Sequence, residues 1–350
     1  MDYGSLLHAD ENFVEQGMID FISFDGVAAT DGELDDNDWE AAIYAEDFAK
    51  YGIDVGHYLY FDNSEWGGLV EKIEHVSATG IIKLSGVTWR GLLIRKVISP
   101  PSGATHRVYT NQTVGAIMAA LISDFGGMFG VAQTANSAAV IAEQKYRYAT
   151  VFDALTALLT GDEGDEEETP DERGMRLGVT YDSDTHTVML TPETVEDHSE
   201  EIEFSGDYDM KYTATTAVAR YNHIIALGSG TGTNRLVKHV WLLPNGKTTT
   251  KRALAAAAGI TGGFKEKAMV YDYSSCDDSK ELIKAARKKL KEHGAQNAIT
   301  IDFDPPDADI PLGDVVGLRD RITGLTDTRT VTRKILRVTA DGVSLQYSVE

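Results

Sequence analysis

Acidic side chains are the groups in this sequence that first suggest chemistry, since carboxylates serve as general acids, bases and nucleophiles. They are grouped at Asp35, Asp36 and Asp38 and again at Glu166 and Glu168. A glycoside hydrolase needs two carboxyl groups at a set separation, and an apolar pocket must raise the pKa of one of them. These carboxylates lie in hydrophilic runs, where solvent keeps the pKa low. The sequence therefore predicts a solvated acidic face rather than a catalytic pair.

Two loops imitate ligand-binding motifs. Asp182-Ser-Asp184 begins like a calcium loop, but the sixth position, which needs glycine, is Thr187. Gly228-Ser-Gly230-Thr-Gly232 imitates a phosphate-binding loop, yet such a loop leads into a helix, whereas an apolar strand-like run follows here. Both loops are predicted to be the turns of hairpins.

The remaining reactive residue types form no catalytic or metal-binding pattern. The nine histidines contain neither H-x-x-x-H nor H-E-x-x-H, G-x-S-x-G does not occur, and Cys276 is the single cysteine. Trp39, Trp66, Trp89 and Trp241 lie in or beside strand-like runs, which favours core positions over sugar-stacking platforms. We therefore predict no enzymatic activity, no cofactor, and no catalytic, cofactor-binding or metal-binding residues.

Charge is distributed unevenly along the chain, whose formal net charge is −23 over 350 residues. Residues 1–77 hold 19 acidic against 2 basic side chains, and residues 162–209 hold 18 against 2, while the remainder is mildly basic. Because the acidic blocks repel DNA, we expect no specific nucleic-acid binding. Two roles for the blocks stay open: simple solubility, or the lining of a channel past which DNA slides.

The lengths of the apolar runs and the charge of the N-terminus indicate where the protein is located. No run approaches the roughly 18 residues that a membrane-spanning helix needs. The N-terminus is acidic, whereas a signal peptide begins with basic residues and an apolar stretch. We expect a protein kept in a cytoplasm-like compartment, with no stable membrane insertion.

Local patterns predict a mainly β chain with three helices. Strands are expected at 39–48, 55–62, 67–77 and 80–94, in a hairpin joined through Ser183–Asp184, and over most of the chain after 204. Helices are expected from Val114 to Phe125, at 151–160 with Thr150 as its cap, and at 279–293 with Asp278 as its cap. The acidic stretch at 161–174 is expected to form a mobile loop.

An internal echo links the two ends of the sequence. The run Ile53–Leu59 followed by Ile73–Ile81 is similar to the run Ile310–Val316 followed by Ile335–Val343, with the spacing I-x-x-V-x-A-x-G-[IV] kept in the second part. Each copy predicts a strand entered through a glycine turn and then a hairpin with a tight glycine turn. Two hairpins can look alike by chance, but the pattern favours a pair of related small β-barrels enclosing a helical segment.

Five N-terminal runs and one C-terminal run carry a family resemblance. They are Ile19–Ser23, Tyr58–Phe61, Trp66–Glu74, Gly86–Leu93, Val97–Pro101 and Ile310–Val316. With the helix after Pro100–Pro101, the acidic region and the basic helix that follow, this order resembles the tail hub, or tail-associated structural, proteins of siphophages and prophages. The resemblance implies two barrel domains per subunit and a homotrimer around the tail axis, so that the ring has pseudo-sixfold symmetry.

These observations predict an α+β, mainly β fold with two related β-barrel domains and a helix-containing α/β insert. The predicted domains are 1–105 (N-terminal barrel), 106–203 (insert with the acidic loop) and 204–350 (C-terminal barrel with the helix 279–293). The resemblance implies a structural subunit of the tail tip or baseplate hub, located in the virion and assembled in the host cytoplasm, with distal tail, tube and tip proteins as partners. The open alternatives are a module that recognises cell-wall carbohydrate and a tail-associated glycan hydrolase.

Overall fold

Short apolar runs punctuated by glycine, aspartate and asparagine fold into strands along most of the chain. The computed structural model describes residues 3, 5–162, 171–200, 203–205, 211–216, 219–244, 247–292, 297–302, 309–320 and 325–349. Glu166, Glu168 and most of the predicted acidic loop at 161–174 lie outside the described residues.

The elements of the N-terminal third alternate short strands with two helices. They are β1 (Leu6–Ala9), β2 (Glu15–Ile19), β3 (Ser23–Ala29), β4 (Asp38–Tyr44), α1 (Ala45–Tyr51), β5 (Tyr58–Phe61), β6 (Gly67–Leu69), β7 (Lys72–Val76), β8 (Ile81–Val87), α2 (Trp89–Ile94), β9 (Val97–Ile98) and β10 (Arg107–Thr113).

The central part of the chain contains two further helices and one long hairpin. Its elements are α3 (Val114–Leu121), β11 (Phe129–Val131), β12 (Val140–Tyr146), β13 (Ala149–Thr150), α4 (Val151–Thr160), β14 (Gly161–Asp162), β15 (Asp171–Glu172), β16 (Met175–Asp182), β17 (Thr187–Thr194) and β18 (Glu203–Ser205).

The C-terminal part ends in a long hairpin. Its elements are β19 (Lys211–Thr216), β20 (His223–Leu227), β21 (Val237–Leu242), β22 (Thr248–Thr249), α5 (Arg252–Ala257), β23 (Ala268–Asp272), α6 (Ser279–Glu292), β24 (Asn297–Asp302), β25 (Val315–Asp320), β26 (Leu325–Thr339) and β27 (Gly342–Val349).

The main sheet brings the two ends of the chain together. Its strand order reads β19-β24-β27-β26-β3-β4-β8-β7, and β25 pairs with β26 beside this path. Strand β26 is antiparallel to β3, with Arg333 opposite Ala29 and Thr339 opposite Ser23. The α+β, mainly β prediction is confirmed. Among the described residues no sheet closes on itself, so the two predicted barrels are not confirmed.

Contacts divide the chain into two compact units. The first comprises Met1–Gly161, Glu172–Thr213 and Thr300–Glu350, and the second comprises Asp162–Asp171 and Ala214–Ile299. The first unit contains both ends of the chain because β26 pairs with β3. This grouping differs from the division at 1–105, 106–203 and 204–350, which stays a prediction.

The core of the first unit lies where its helices meet the hairpin of β16 and β17. Helices α2 and α3 both pack against α4, and α4 packs on β16. The largest contributors are fully buried side chains, each of which stabilises the fold by roughly 1.5–3 kcal/mol: Trp89, Ile117, Met118, Phe152, Leu155, Leu158, Tyr181 and Leu190. The Thr150 hydroxyl accepts a hydrogen bond from the Asp153 amide at 3.0 Å, which confirms the predicted cap of α4.

The second unit has its own smaller core. Its sheet has the order β22-β21-β20-β23, and α6 packs on β20 and β21. Leu282, Ala286 and Leu290, which recur at helical spacing on α6, are fully buried. The Asp278 carboxylate accepts from the Glu281 amide at 2.9 Å, which confirms the predicted cap of α6.

Three predicted elements need correction. The predicted strand at 39–48 is wrong in its second half, because α1 follows β4, with acidic residues in its first turn. The predicted strand at 80–94 is wrong after Val87, where the Thr88 hydroxyl accepts from the Gly91 amide and α2 begins. An apolar run does not by itself distinguish a buried strand from a buried helix. The predicted helix from Val114 ends at Leu121, and a 3₁₀ turn at Ser123–Phe125 follows.

Candidate assembly junction

A buried cluster of charges joins the C-terminal strand β26 to the N-terminal half of the chain. The Lys334 side chain is 1% exposed, and its ammonium lies 2.7 Å from the Glu65 carboxylate and also bonds Asp309. Arg90 lies 3.4 Å from Glu65 and donates to the Leu177 carbonyl at 3.2 Å. Every charge in the cluster therefore has an opposite partner, which a buried ion needs if the fold is to tolerate it.

Burial and pairing act against each other on the pKa values of this cluster. Burial favours the neutral forms, but the carboxylates of Glu65 and Asp309 outweigh it and raise the pKa of Lys334. Burial likewise opposes the charged form of Glu65, yet Lys334 and then Arg90 hold the pKa of that carboxyl below its usual value. Lys334 and Glu65 therefore face each other as charged groups in the folded protein at neutral pH.

Sequence reasoning missed this cluster, although strand parity contains the signal. Lys334 alternates with Leu336 and Val338, both buried, so it must lie on the buried face of β26. A lysine on that face predicts a buried carboxylate partner. Only the fold shows that this partner is Glu65, because 269 residues separate the two in sequence.

Further ion pairs cross the junction between β3 and β26. The Arg337 guanidinium donates to Asp25 at 3.0 Å, and that of Arg333 lies 2.8 Å from Asp36. Part of the acidic charge of residues 1–77 is therefore matched by bases of the C-terminal hairpin. Some of the acidic side chains of residues 1–77 therefore serve ion pairs within the fold, in addition to any effect they have on DNA or on solubility.

A second buried carboxylate fixes the start of β25. The side chain of Asp314 is fully buried and accepts from Arg176 Nε at 2.8 Å and from the Glu196 amide at 2.9 Å. Its other oxygen lies 3.4 Å from His198 Nε2. This arrangement attaches the C-terminal part of the first unit to the segment that follows β17.

The two halves of the sequence echo adopt the same backbone geometry. Gly56 and Gly313 have φ values of +94° and +96°, a region that favours glycine. Gly56 donates to the Val70 carbonyl at 2.9 Å, and Gly313 donates to that of Val331 at 2.8 Å. Each turn then leads into a strand, β5 or β25. The echo is therefore a structural repeat at this position.

The hairpins of the echo are equivalent as well. Val76 lies opposite Ile81 in the hairpin of β7 and β8, and Val338 lies opposite Val343 in that of β26 and β27. These are the residues that the sequence motif aligns. Chance similarity between two hairpins does not account for an agreement in both the turns and the cross-strand pairs.

Strand order extends the repeat to the main sheet. From one side the order reads β7-β8-β4-β3, and it continues as β26-β27-β24-β19. Numbered along the chain, each set of four strands has the order third, fourth, second, first. We call these sets the N-terminal quartet and the C-terminal quartet. The pairing of β3 with β26 joins them head to tail.

The acidic residues singled out in the sequence lie between β3 and β4. Asp35 and Asp36 occupy a 3₁₀ turn, and Asp38 begins β4. Burial, followed by the nearby charges of Asp35 and Asp36, raises the pKa of Asp38. The prediction of a solvated carboxyl with a low pKa is therefore wrong for Asp38, which is only partly exposed because it lies in the sheet.

The other singled-out residues have structural positions. Trp39, Trp66, Trp89 and Trp241 are at most 4% exposed, so the core prediction is confirmed and none offers a ring face for sugar stacking. The loops at 183–186 and 228–236 connect antiparallel strands, as predicted. Within the described part of the chain, no group of three or more His, Cys, Asp or Glu side chains could hold a metal ion. No helix in that part is long and apolar enough to cross a membrane.

Solved structures share this fold over nearly their full length. The 43 kDa tail protein of prophage MuSo2 from Shewanella oneidensis superposes with a TM-score of 0.60 at 13% identity, covering 99% of this chain and 98% of that protein. The chain has the fold of prophage tail proteins. A tail protein from Neisseria meningitidis MC58 gives a TM-score of 0.54 at 14% identity, covering 99% and 96%. Prophage tail protein gp18 from Listeria monocytogenes EGD-e gives 0.53 at 12%, covering 99% and 94%.

This prophage tail-protein fold confirms the resemblance drawn from the sequence at the level of the fold. No protein-family model matches the chain, and no curated protein matches it in sequence. At identities of 12–14% the fold is shared, whereas most individual residues differ.

Proposed function

We propose that this chain is a structural subunit of a phage or prophage tail, forming a homotrimeric ring that joins the tail tube to the tip. The tail-protein fold supports the location in the virion. The positions of Lys334, Glu65, Arg90 and Asp314 support a structural role, because these charged groups are buried and paired instead of facing a substrate cleft.

The observation that carries the proposal is the head-to-tail repeat of the two quartets. Within one chain β3, the last strand of the first quartet, pairs with β26, the first strand of the second. The outer strands that remain are β7 and β19. If β19 of one copy pairs with β7 of the next, the same junction recurs between chains. Three copies then supply six quartets, and a threefold ring imitates a sixfold one.

This arrangement accounts for the two related domains that the echo predicts. In this proposal each quartet corresponds to one of the two related domains, and the main sheet closes only in the assembly. A closed ring also removes the exposed sheet edges that would otherwise lead to aggregation. The proposed partners are further copies of the chain and the tube, distal tail and tip proteins, assembled in the host cytoplasm.

The test is deletion of the gene from its phage or prophage, with electron microscopy and mass spectrometry of purified tails. We expect the chain in complete tails and an assembly arrest at the tube–tip junction in the deletion strain, restored by complementation. Complete tails that lack the chain would overturn the proposal.

A second candidate, a tail-associated glycan hydrolase, is favoured by one observation: the raised pKa of Asp38 beside Asp36. A cell-wall digestion assay with the wild type and Asp38→Asn separates the two functions. Release of reducing sugar that the substitution abolishes would support the hydrolase, and absence of release by the wild type excludes it.

A further inference from the structure

Phe264 is fully exposed, although the backbone around it is fixed. Its relative exposure is 102%. The Asn222 side-chain amide donates to the Lys265 carbonyl at 2.7 Å, and the Gly262 amide donates to the Glu266 carboxylate at 3.0 Å. A flexible loop would let an aromatic ring fold back onto the protein. Here the ring is held in water, which is unfavourable unless another surface covers it.

The carboxylate beneath this turn is used internally. Glu266 accepts from Trp241 Nε1 at 3.2 Å and lies 2.9 Å from His223 Nδ1, in a stack in which the rings of His223 and Trp241 are 4.5 Å apart. The Gly262 amide and then Trp241 hold the pKa of Glu266 below its usual value. The negative charge of Glu266 is therefore engaged by its own unit.

The second unit exposes further apolar and basic side chains on α5 and at the Phe264 turn. Leu254 of α5 is 43% exposed, and the neighbouring alanines of that helix also face solvent, apart from Ala255. Arg252 and Lys265 are both exposed, and the charge of Arg252 acts on Glu266, two residues after Phe264. We name Arg252, Leu254, Phe264 and Lys265 the Phe264 patch. It fits a surface with an apolar centre and acidic surroundings.

The chain presents such a surface at strand β2. Val14 and Met18 are 56% and 67% exposed, and Glu11 and Glu15 are exposed beside them. Among the described residues β2 is the outer strand of the order β2-β1-β5-β6, so one of its edges is open. We name Glu11, Val14, Glu15 and Met18 the Met18 patch.

The turn that leads into β2 is fixed as firmly as the turn at Phe264. Both the Asn12 and the Val14 amides donate to Asp10 Oδ1, at 2.9 and 3.0 Å. The ring of Phe13 packs at 5.1 Å on that of Tyr58, measured between centroids. The exposed apolar groups of this patch are therefore held in place before any partner arrives, which reduces the entropy lost on binding.

We infer that the Phe264 patch of one copy docks on the Met18 patch of a second copy. This inference rests on the proposed ring and names a contact within it. A second copy is favoured because residues 1–77 are strongly acidic while the Phe264 patch is basic, and because two different patches form a head-to-tail contact that a ring can close. A lipid or DNA partner would need only the basic patch and would leave Val14 and Met18 exposed.

The experiment measures self-association of the purified full chain by sedimentation velocity, at low and high salt. Phe264→Asp removes the apolar anchor, and Lys265→Glu and Glu15→Lys each place like charges opposite one another. Each single variant should weaken association about tenfold. The double variant Lys265→Glu/Glu15→Lys should restore it, because the swapped charges again attract. Val140→Asp, at another exposed apolar position, is the matched control and should associate as the wild type does.

Three results would overturn the inference: a wild type that stays monomeric at its highest soluble concentration, single variants that associate normally, or a double variant without restoration. Pelleting with anionic vesicles of phosphatidylglycerol that Phe264→Asp abolishes would instead assign the patch to lipid. None of these results bears on whether the chain is present in purified tails. The proposed function is therefore tested separately, by the gene deletion.

Discussion

At the scale of single residues, buried charged and histidine side chains make the most residue-specific contacts in this fold. Lys334 is buried among carboxylates, and His8 is 2% exposed with its Nε2 2.8 Å from Nδ1 of His57. Both groups make the protein sensitive to substitution or to pH in ways that an exposed residue would not. Each leads to a prediction that can be measured on the isolated chain.

Lys334→Met should lower the free energy of unfolding by about 3 kcal/mol, because it leaves the carboxylates of Glu65 and Asp309 without their shared cation. Chemical denaturation with circular dichroism measures this loss. Lys83→Met is the matched control, since its partner Glu40 lies 2.8 Å away on the surface, where solvent screens the pair, and this variant should unfold nearly as the wild type does. Equal losses in the two variants would show that the buried cluster is not special.

His8 predicts how stability depends on pH. Burial, followed by the charge of His57, lowers the pKa of His8 from 6.5 to about 4. The unfolded chain therefore takes up a proton before the folded one does, and stability should fall as the pH drops from 6.5 towards 4, by up to about 3 kcal/mol. His8→Phe should flatten unfolding free energies across this range. The substitution His75→Phe, at an exposed histidine, should leave the pH dependence of stability unchanged. A wild type whose unfolding free energy does not change between pH 6.5 and 4 would contradict the lowered pKa of His8.

At the scale of elements, the sequence predicts strands and capped helices well where the signal is local. Thr150 and Asp278 cap α4 and α6 as expected, and the predicted hairpin through Ser183–Asp184 forms between β16 and β17. The errors occur at α1 and α2, where the helix follows its strand directly (α1 after β4) or after the single residue Thr88 (α2 after β8). The local signals are the acidic first turn of α1 and the Thr88 cap of α2, and a short window in which strand passes straight into helix obscures both.

The tight glycine turn in the first copy of the echo can be tested by substitution. Gly80 closes the hairpin of β7 and β8 with φ +67°, and no atom would contact an added Cβ. Gly80→Ala should therefore cost about 1 kcal/mol of unfolding free energy through backbone strain alone. Gly80→Asn should cost less, because asparagine tolerates this conformation. Thermal or urea unfolding measures both, and an alanine variant as stable as the wild type would contradict the strained turn.

At the scale of the whole molecule, charge segregation and strand order were only partly predictable. The sequence shows that residues 1–77 are acidic, but not that Asp25 and Asp36 meet Arg337 and Arg333 across a strand pairing. Such partners are some 300 residues apart and leave no local trace. The echo did indicate a repeat, whereas the tandem order of the two quartets follows only from the paired strands.

The N-terminal acidic block, residues 1–77, can be tested as the lining of a channel past which DNA slides. Glu33 and Asp35 are exposed, so Glu33→Lys/Asp35→Lys tests the field of the block without breaking the Asp36 ion pair. If the block repels DNA in a channel, infectivity should fall about tenfold while particles assemble normally. Asp124→Lys/Asp341→Lys is the control outside the block. Normal infectivity of the first variant would leave solubility as the role of these charges.

The most direct measurement is a cryo-electron microscopy reconstruction of the ring in purified tails. We predict three copies of the chain around the axis, with β19 of each copy paired with β7 of the next and six quartets enclosing one lumen. A ring in which the quartets of neighbouring copies do not pair, or in which the N- and C-terminal quartets occupy unrelated positions, would contradict it.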